Sequence, residues 1–407
     1  MLPSTATTPG EPLEDPATLR GLFLLEPGLV FLNHGSFGAC PRPVFEAAQQ
    51  AQRELERNPV AYLGRRSAAL LRAARQRLGA FLHADADDLA WVPNATTGVN
   101  IVARSLALAP GDEILTTDQE YGACDATWAA VCRDTGAELR RVPVPLPFEP
   151  AAFVPRLMAA VTPRTRLIFT SHVVSTTALV FPVAELCRAA RAAGVPVLID
   201  GAHAPGLVDL DLGAVGADWF TGNCHKWLCA PKGAAFLHVR PEHQAALRGG
   251  IVSWGAVADE LAAGGGGHTG FDAYVGTTPL ERRLQWQGTR DISAFLAVPT
   301  ALDFLAAHRW PEHRARCRAR ALALMHGVLA RNGLAPIAPD ACLTQMVPIP
   351  VRTADAEGLR RWLCEHRGIE VPVTQHAGQA FVRVSVQAYT TEAELAALEA
   401  ALAEAGV

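Results

Sequence analysis

Between residues 89 and 240, short apolar runs alternate with turn residues and longer stretches of mixed polarity. The runs are "LAWV" from Leu89, "EILTT" from Glu113, "LIFTS" from Leu167, "VPVLID" from Val195, "DWFTG" from Asp218 and "AAFLHV" from Ala234. Each has the length of a strand, and helical segments separate most of them. Strands alternating with helices predict an α/β architecture: a mainly parallel sheet covered by helices on both faces. Upstream, a helical pattern runs from Pro43 to about Arg57, breaks at "NPV" and resumes from Tyr62 to about Leu82. Residues 249–290 interrupt the rhythm. "GGIVSWGAVADELAAGGGGHTG" is glycine-rich and reads as a long loop, with 264–267 a candidate lid. Beyond it, "ISAFLAVPTALDFLAAH" and "HRARCRARALALMHGVLARNG" predict two long helices. The tail predicts an α+β unit: "CLTQMVPIPV", a helix near 356–366, "GIEVPV", "FVRVSVQ" and a last helix from Thr391. The expected organisation is an N-terminal arm (1–30), a large domain (31–298) and a small C-terminal domain (299–407).

Composition narrows the partners more than the fold. The net charge is −4 and no basic stripe is present, so a nucleic-acid partner is not expected. The apolar stretches are short or broken by Pro, His and Arg, so no membrane span is expected. The N-terminal residues show neither the basic start nor the apolar run of a secretory signal. Nine cysteines, an odd count with no Cys-x-x-Cys pair, read as reduced thiols in a cytoplasmic protein.

One compositional bias bears on chemistry. The chain has 36 basic residues, and only Lys226 and Lys232 are lysine; both fall in "GNCHKWLCAPKG". An amine whose pKa can fall adds to a carbonyl, and a guanidinium cannot. Lys226 follows the apolar "DWF" and lies among Cys224, His225 and Trp227, where desolvation would bring its pKa toward neutrality. Lys232, beside Pro231 and Gly233, reads as a surface lysine.

Two further motifs stand where strands give way to helices, the ligand-binding edge of an open α/β sheet. "PNATTGVNIV" sets Ala95, Thr96, Thr97 and Gly98 at a helix start, where hydroxyls and free N–H groups bind an anion such as phosphate. Thr-Thr-Gly is equally a plain helix cap. "VLIDGAHAPG" ends a buried strand with Asp200, whose carboxylate needs a partner, with His203 three residues on. A phosphate cup, a buried acid and a desolvated lysine together fit pyridoxal 5′-phosphate, which presents a phosphate, a ring nitrogen and an aldehyde.

At the level of motifs the chain resembles the class V aminotransferase-like (fold-type I) family of pyridoxal 5′-phosphate enzymes, and within it the isopenicillin N epimerase-like group. The resemblance rests on "FLNHGSFGACPRPV" (31–44), "RNPVAYLGRR" (57–66), "ATTGVNIV" (95–102), "YGA" (121–123), "SHVVSTTALVFPV" (171–183), "DGAHAPG" (200–206), "GNCHKWLCAPKG" (222–233), "QWQGTRD" (285–291) and "VRVSVQAYTT" (382–391). It implies that Lys226 forms the imine with the cofactor and moves the proton at Cα. It implies that Asp200 pairs with the ring nitrogen, His203 lies at the ring or its phenolic oxygen, and Tyr121 stacks on it. Ala95, Thr96 and Thr97 would hold the phosphate, with Asn223 and His225 on its other side; Ser175 or Thr176 would reach the phenolic oxygen. Gly288 and Thr289 match a segment that reaches a neighbouring subunit's phosphate, which implies a homodimer with shared sites. Arg383 matches the arginine that takes the substrate carboxylate, with Asn33 beside it and with Arg65, Arg66 and Arg290 as candidates for a second acidic group.

The reaction is less determined. Desulfurases of this superfamily carry a mobile cysteine before the segment resembling "FVRVSVQAYTT"; here the place reads "VPVTQHAGQAF", with no cysteine. Cys224 and Cys229 read as packing. Amino-acid epimerisation is the favoured expectation, with C–S lyase chemistry on cysteine conjugates or sulfoxides as the alternative. A non-enzymatic alternative is a catalytically silent binding protein on the same fold.

Overall fold

The computed structural model describes residues 12–255, 257–258 and 275–407; the 264–267 run lies outside them. Seven strands form the central sheet. After the two-residue β1 (Val30–Phe31) come β2 (Leu89–Val92), β3 (Glu113–Thr117), β4 (Glu138–Val142), β5 (Thr165–Ser171), β6 (Val197–Asp200), β7 (Trp219–Asn223) and β8 (Ala235–Val239). Their spatial order is β2-β8-β7-β6-β5-β3-β4. β8 pairs antiparallel with both neighbours, and the remaining pairs are parallel. The expected α/β architecture is present, with β4 added. "ELRRV" was not recognisable as a strand because it is an edge strand whose residues are mostly exposed or half-buried, so no apolar run marks it.

Alternation along each strand divides the apolar residues between two cores. Leu89, Trp91, Ile168, Ile199 and Phe220 pack on one face. Ala90, Val92, Leu167, Phe169, Leu198 and Trp219 pack on the other. The sheet is therefore covered on both sides, as continuous apolar strands require. Helix Ala95–Ser105 packs so closely on β7 that a Cβ at Gly98 would lie 2.2 Å from Thr221 Oγ1.

The C-terminal region forms a second sheet of β9 (Met346–Val351), β11 (Val373–His376) and β12 (Gln379–Ser385), in the order β11-β12-β9 and antiparallel. β10 (Ile369–Glu370) pairs with β1, which ties residues near 30 to this region. The first long helix predicted after residue 290 is split into Ser293–Leu296 and Val298–Ala307; the second is continuous over Trp310–Asn332. Pro299, which lacks an N–H, sits in the first turn of the second piece.

The 249–290 stretch is not wholly a loop. Pro279–Leu284 is a helix opened by a Thr278/Glu281 capping box. Glu281 forms a fully buried ion pair with Arg75, and Arg75 also donates to Gln285 Oε1 at 2.6 Å. Breaking such a pair by removing one partner costs about 3–5 kcal/mol. No helix among the described residues is long and apolar enough to cross a membrane.

Candidate active site

The carboxyl ends of β2, β5, β6 and β7 converge on one cavity of about 410 Å³. Its lining includes Thr96 and Ala95 from the start of helix Ala95–Ser105, Tyr121 before helix Gly122–Thr135, and Ser171 and Ser175 after β5. Asp200 and His203 come from the end of β6, and Asn223, His225 and Lys226 from the end of β7. Arg383 enters from β12. Apart from Ser171, these are residues the sequence brought forward, gathered from positions far apart in the chain.

Lys226 Nζ lies 3.2 Å from His203 Nε2. Burial lowers the amine's pKa to about 7, and the nearby Arg383 charge adds to this against the pull of Asp200. Burial also pushes His203 well below its usual range, with the Lys226 and Arg383 charges acting in the same direction. Asp200 is 4% exposed. Its carboxylate accepts from Ala202 N–H at 2.9 Å and from the Cys124 thiol at 3.4 Å, and burial raises its pKa. A carboxylate this poorly satisfied is suited to a cationic N–H partner in the cavity.

Arg383 sits mid-strand on β12. Alternation sends Val382 and Val384 into the core, which leaves the guanidinium to face the cavity. It is 4% exposed and donates to the Ser175 carbonyl, to Ser175 Oγ at 3.2 Å and to Ser36 Oγ at 3.0 Å. Among the described residues its buried Nε has no partner, and no carboxylate is paired with it. Burial lowers its pKa to about 10, so it stays cationic at neutral pH. A buried guanidinium with a spare N–H and no counter-ion is built for an incoming carboxylate.

At the phosphate end, Asn223 Oδ1 accepts from Ala95 N–H at 2.9 Å and so fixes the helix start against β7. His225 places Nδ1 3.0 Å from the Ala234 carbonyl, and burial brings its pKa to about 4. Thr96 lines the cavity, but Thr97 does not. The Thr97 hydroxyl and N–H both donate to Asn94 Oδ1, the helix cap, at 3.1 and 2.8 Å. The donor set that remains fits pyridoxal 5′-phosphate: an anion site at a helix start, a buried acid, and an amine with a lowered pKa.

Other candidate residues lie outside the cavity lining. Asn33 stands one link behind the cavity: it accepts from Ser36 Oγ at 2.5 Å and donates to Glu370 at 3.1 Å. Arg65 and Arg66 are exposed, and Arg66 lies over the Tyr62 ring. Arg290 lies over Phe295 and donates to the Gln285 carbonyl at 2.9 Å. None of the three arginines lines the cavity, and neither do Gly288, Thr289 or Thr176. Thr176 gives its carbonyl to the Thr374 hydroxyl. Lys232 is exposed, as expected, and its amine donates to the Gly38 carbonyl at 3.0 Å.

Two groups escaped the sequence reading. Ser36 and Phe37 line the cavity because the "NHGSFG" turn packs directly on the lysine segment. Gly38 has φ +71°, and a Cβ there would fall 2.1 Å from the His225 carbonyl oxygen. The motif itself signalled this contact. Glu120 gave no such signal. It is buried beside Asp200, and four donors converge on it: Ser171 N–H, Ser171 Oγ, Thr117 Oγ1 and Thr170 Oγ1. Burial raises its pKa to about 7.

The aminotransferase class-V family model matches residues 30–398, and the chain belongs to that family. It is 41% identical to isopenicillin N epimerase of Streptomyces clavuligerus, over 94% of this chain and 96% of that one. It is 39% identical to isopenicillin N epimerase of Amycolatopsis lactamdurans, over 95% and 98% respectively. Among solved structures it is similar to the cystine C–S lyase C-DES in complex with its product cysteine persulfide, with TM-score 0.78 and 24% identity over 95% of this chain and 99% of that one. That likeness establishes the fold.

Proposed function

We propose that this protein is a pyridoxal 5′-phosphate-dependent enzyme acting at the α-carbon of an amino acid, an epimerase of the isopenicillin N epimerase kind. The observation that carries the reading is end-to-end identity of about 40% to two such epimerases. The cavity supports it with a lysine whose pKa is lowered to about 7 and an arginine that has no counter-ion among the described residues.

When bound, the cofactor supplies an aldehyde for an amine and a cationic ring that draws electrons from the substrate's Cα. The chain's own residues do the rest. Asp200 holds the ring nitrogen as a cation, and Thr96, Asn223 and His225 hold the phosphate. Arg383 takes the substrate carboxylate, with Ser36 and Ser175 keeping the guanidinium in place. Lys226 removes and returns the proton at one face of Cα. Inversion needs an acid at the other face. Tyr121, which lines the cavity close enough to Arg383 to influence its charge, is assigned there.

Gly288 and Thr289, half-buried and exposed respectively, are assigned to a neighbouring subunit's site in a homodimer. The same reading keeps residues 31–298 as the large domain and 299–407 as the small one. It also keeps the enzyme in the cytoplasm, which nine free thiols favour.

The test is a panel of amino acids incubated with the enzyme in deuterated water. Deuterium at Cα with loss of chirality is the expected result. Release of pyruvate and ammonia would replace the epimerase by a C–S lyase. Neither product from any amino acid, with no cofactor bound, would leave a silent binding protein.

A further inference from the structure

Trp227 directly follows the reactive lysine and is 1% exposed. Its indole Nε1 lies 3.4 Å from His203 Nδ1. An indole N–H only donates, so Nδ1 is the bare, accepting nitrogen of that imidazole. A neutral imidazole with a bare Nδ1 carries its proton on Nε2, the nitrogen 3.2 Å from Lys226 Nζ. A second proton on the ring would set two N–H groups against each other at Nδ1. The indole has little freedom to turn away: it is buried against Val173, Leu207 and Met346 and packs on the His34 ring with centroids 5.0 Å apart.

We infer that Trp227 is a positioning residue that fixes His203 as its Nε2–H tautomer, so that a hydrogen-bond donor rather than a lone pair faces the cavity beside the Lys226 nitrogen. The donor has two uses. Toward Lys226 it favours the unprotonated amine, because an ammonium would bring N–H against N–H. Toward a ligand it favours an oxygen that carries negative charge. The tautomer follows from the geometry alone; its catalytic use rests on the function proposed above.

The experiment is ¹⁵N NMR of histidine-labelled full-length protein, with and without added pyridoxal 5′-phosphate. His203→Gln identifies the His203 signals by removing them. The expected spectrum has Nε2 protonated and Nδ1 bare in the wild type. Trp227→Phe keeps a ring and removes the N–H. It is expected to lower the ratio of Nε2–H to Nδ1–H forms about fivefold, the effect of one hydrogen bond of ordinary net strength. It is also expected to lower kcat by a similar factor, whereas in a His203→Gln background, where no tautomer exists, Trp227→Phe changes kcat no further. A wild-type spectrum with the proton on Nδ1 overturns the inference, as does an unchanged tautomer in Trp227→Phe. Should that variant fail to fold, the wild-type spectrum decides alone. A correct tautomer in a protein that turns over no amino acid would sink the proposed function and leave this assignment standing.

Discussion

Arg383 donates to the Ser36 hydroxyl at 3.0 Å, and Ser36 in turn donates to Asn33 at 2.5 Å. The two residues stand 347 positions apart in sequence. Their contact aims the guanidinium, whose Nε is buried and without a partner among the described residues. Replacing Arg383 by Gln is expected to raise the KM for the amino acid roughly 100-fold, as loss of a desolvated charge pair does. The cofactor should stay bound, since Arg383 is not among its ligands. Titration of the variant with cofactor and with amino acid separates the two; unchanged substrate affinity would refute the carboxylate role.

The lowered pKa of Lys226 has a stability consequence whose sign is fixed. In the unfolded chain the amine holds its proton up to about pH 10.5; in the folded chain it loses it near 7. Between those values the unfolded state binds more protons, so stability rises with pH across the window. Below pH 7 the full destabilisation is present. Lys226→Met should therefore stabilise the cofactor-free protein near pH 7, on the order of a few kcal/mol, and the difference should fade by pH 10. Urea unfolding of both proteins across this range measures it, and parallel stability curves would show that the lysine is not desolvated.

Tyr121→Phe tests the second face. If Lys226 works one face of Cα and Tyr121 the other, the variant should still exchange Cα–H for deuterium with retention, while inversion falls at least tenfold, a typical size for a general acid. Equal loss of exchange and inversion would instead make Tyr121 a binding group.

Gly38→Ala places a methyl group against the backbone that carries the lysine, at a φ that alanine resists. Destabilisation of about 2 kcal/mol or more is expected, together with weakened cofactor binding. Thermal unfolding checks the first and a cofactor titration the second. Normal values for both would mean that the 34–38 turn moves freely.

Much of this site could be read from the sequence because its key residues sit where local pattern and chemistry coincide. Asp200, Asn223 and Lys226 end or follow apolar strands, and strand ends are where such a sheet presents its ligands. Arg383 was legible from the resemblance, and alternation explains its direction: in "VRVSV" it opposes two valines that are buried in the core. The two adjacent threonines divide at the helix start: Thr96 lines the cavity, and the Asn94 cap takes Thr97. Arg65 and Arg290 look like their useful neighbours in sequence, but Arg65 is exposed and Arg290 lies over the Phe295 ring. Glu120 was beyond reach of pattern, since its burial and its four donors come from β3 and β5 as they pair. The helix at Pro279–Leu284 was hidden by the glycine-rich stretch before it, although Thr278 and Glu281 stood at capping-box spacing.

The His34 ring links the Tyr389 hydroxyl, at 2.9 Å and 355 positions away, to the carbonyl of Lys226 at 3.1 Å. On the ribosome the early partner must wait for nearly the whole chain to be synthesised, at about 5–20 residues per second. A nascent chain therefore has its central sheet synthesised well before the brace behind Lys226 can close.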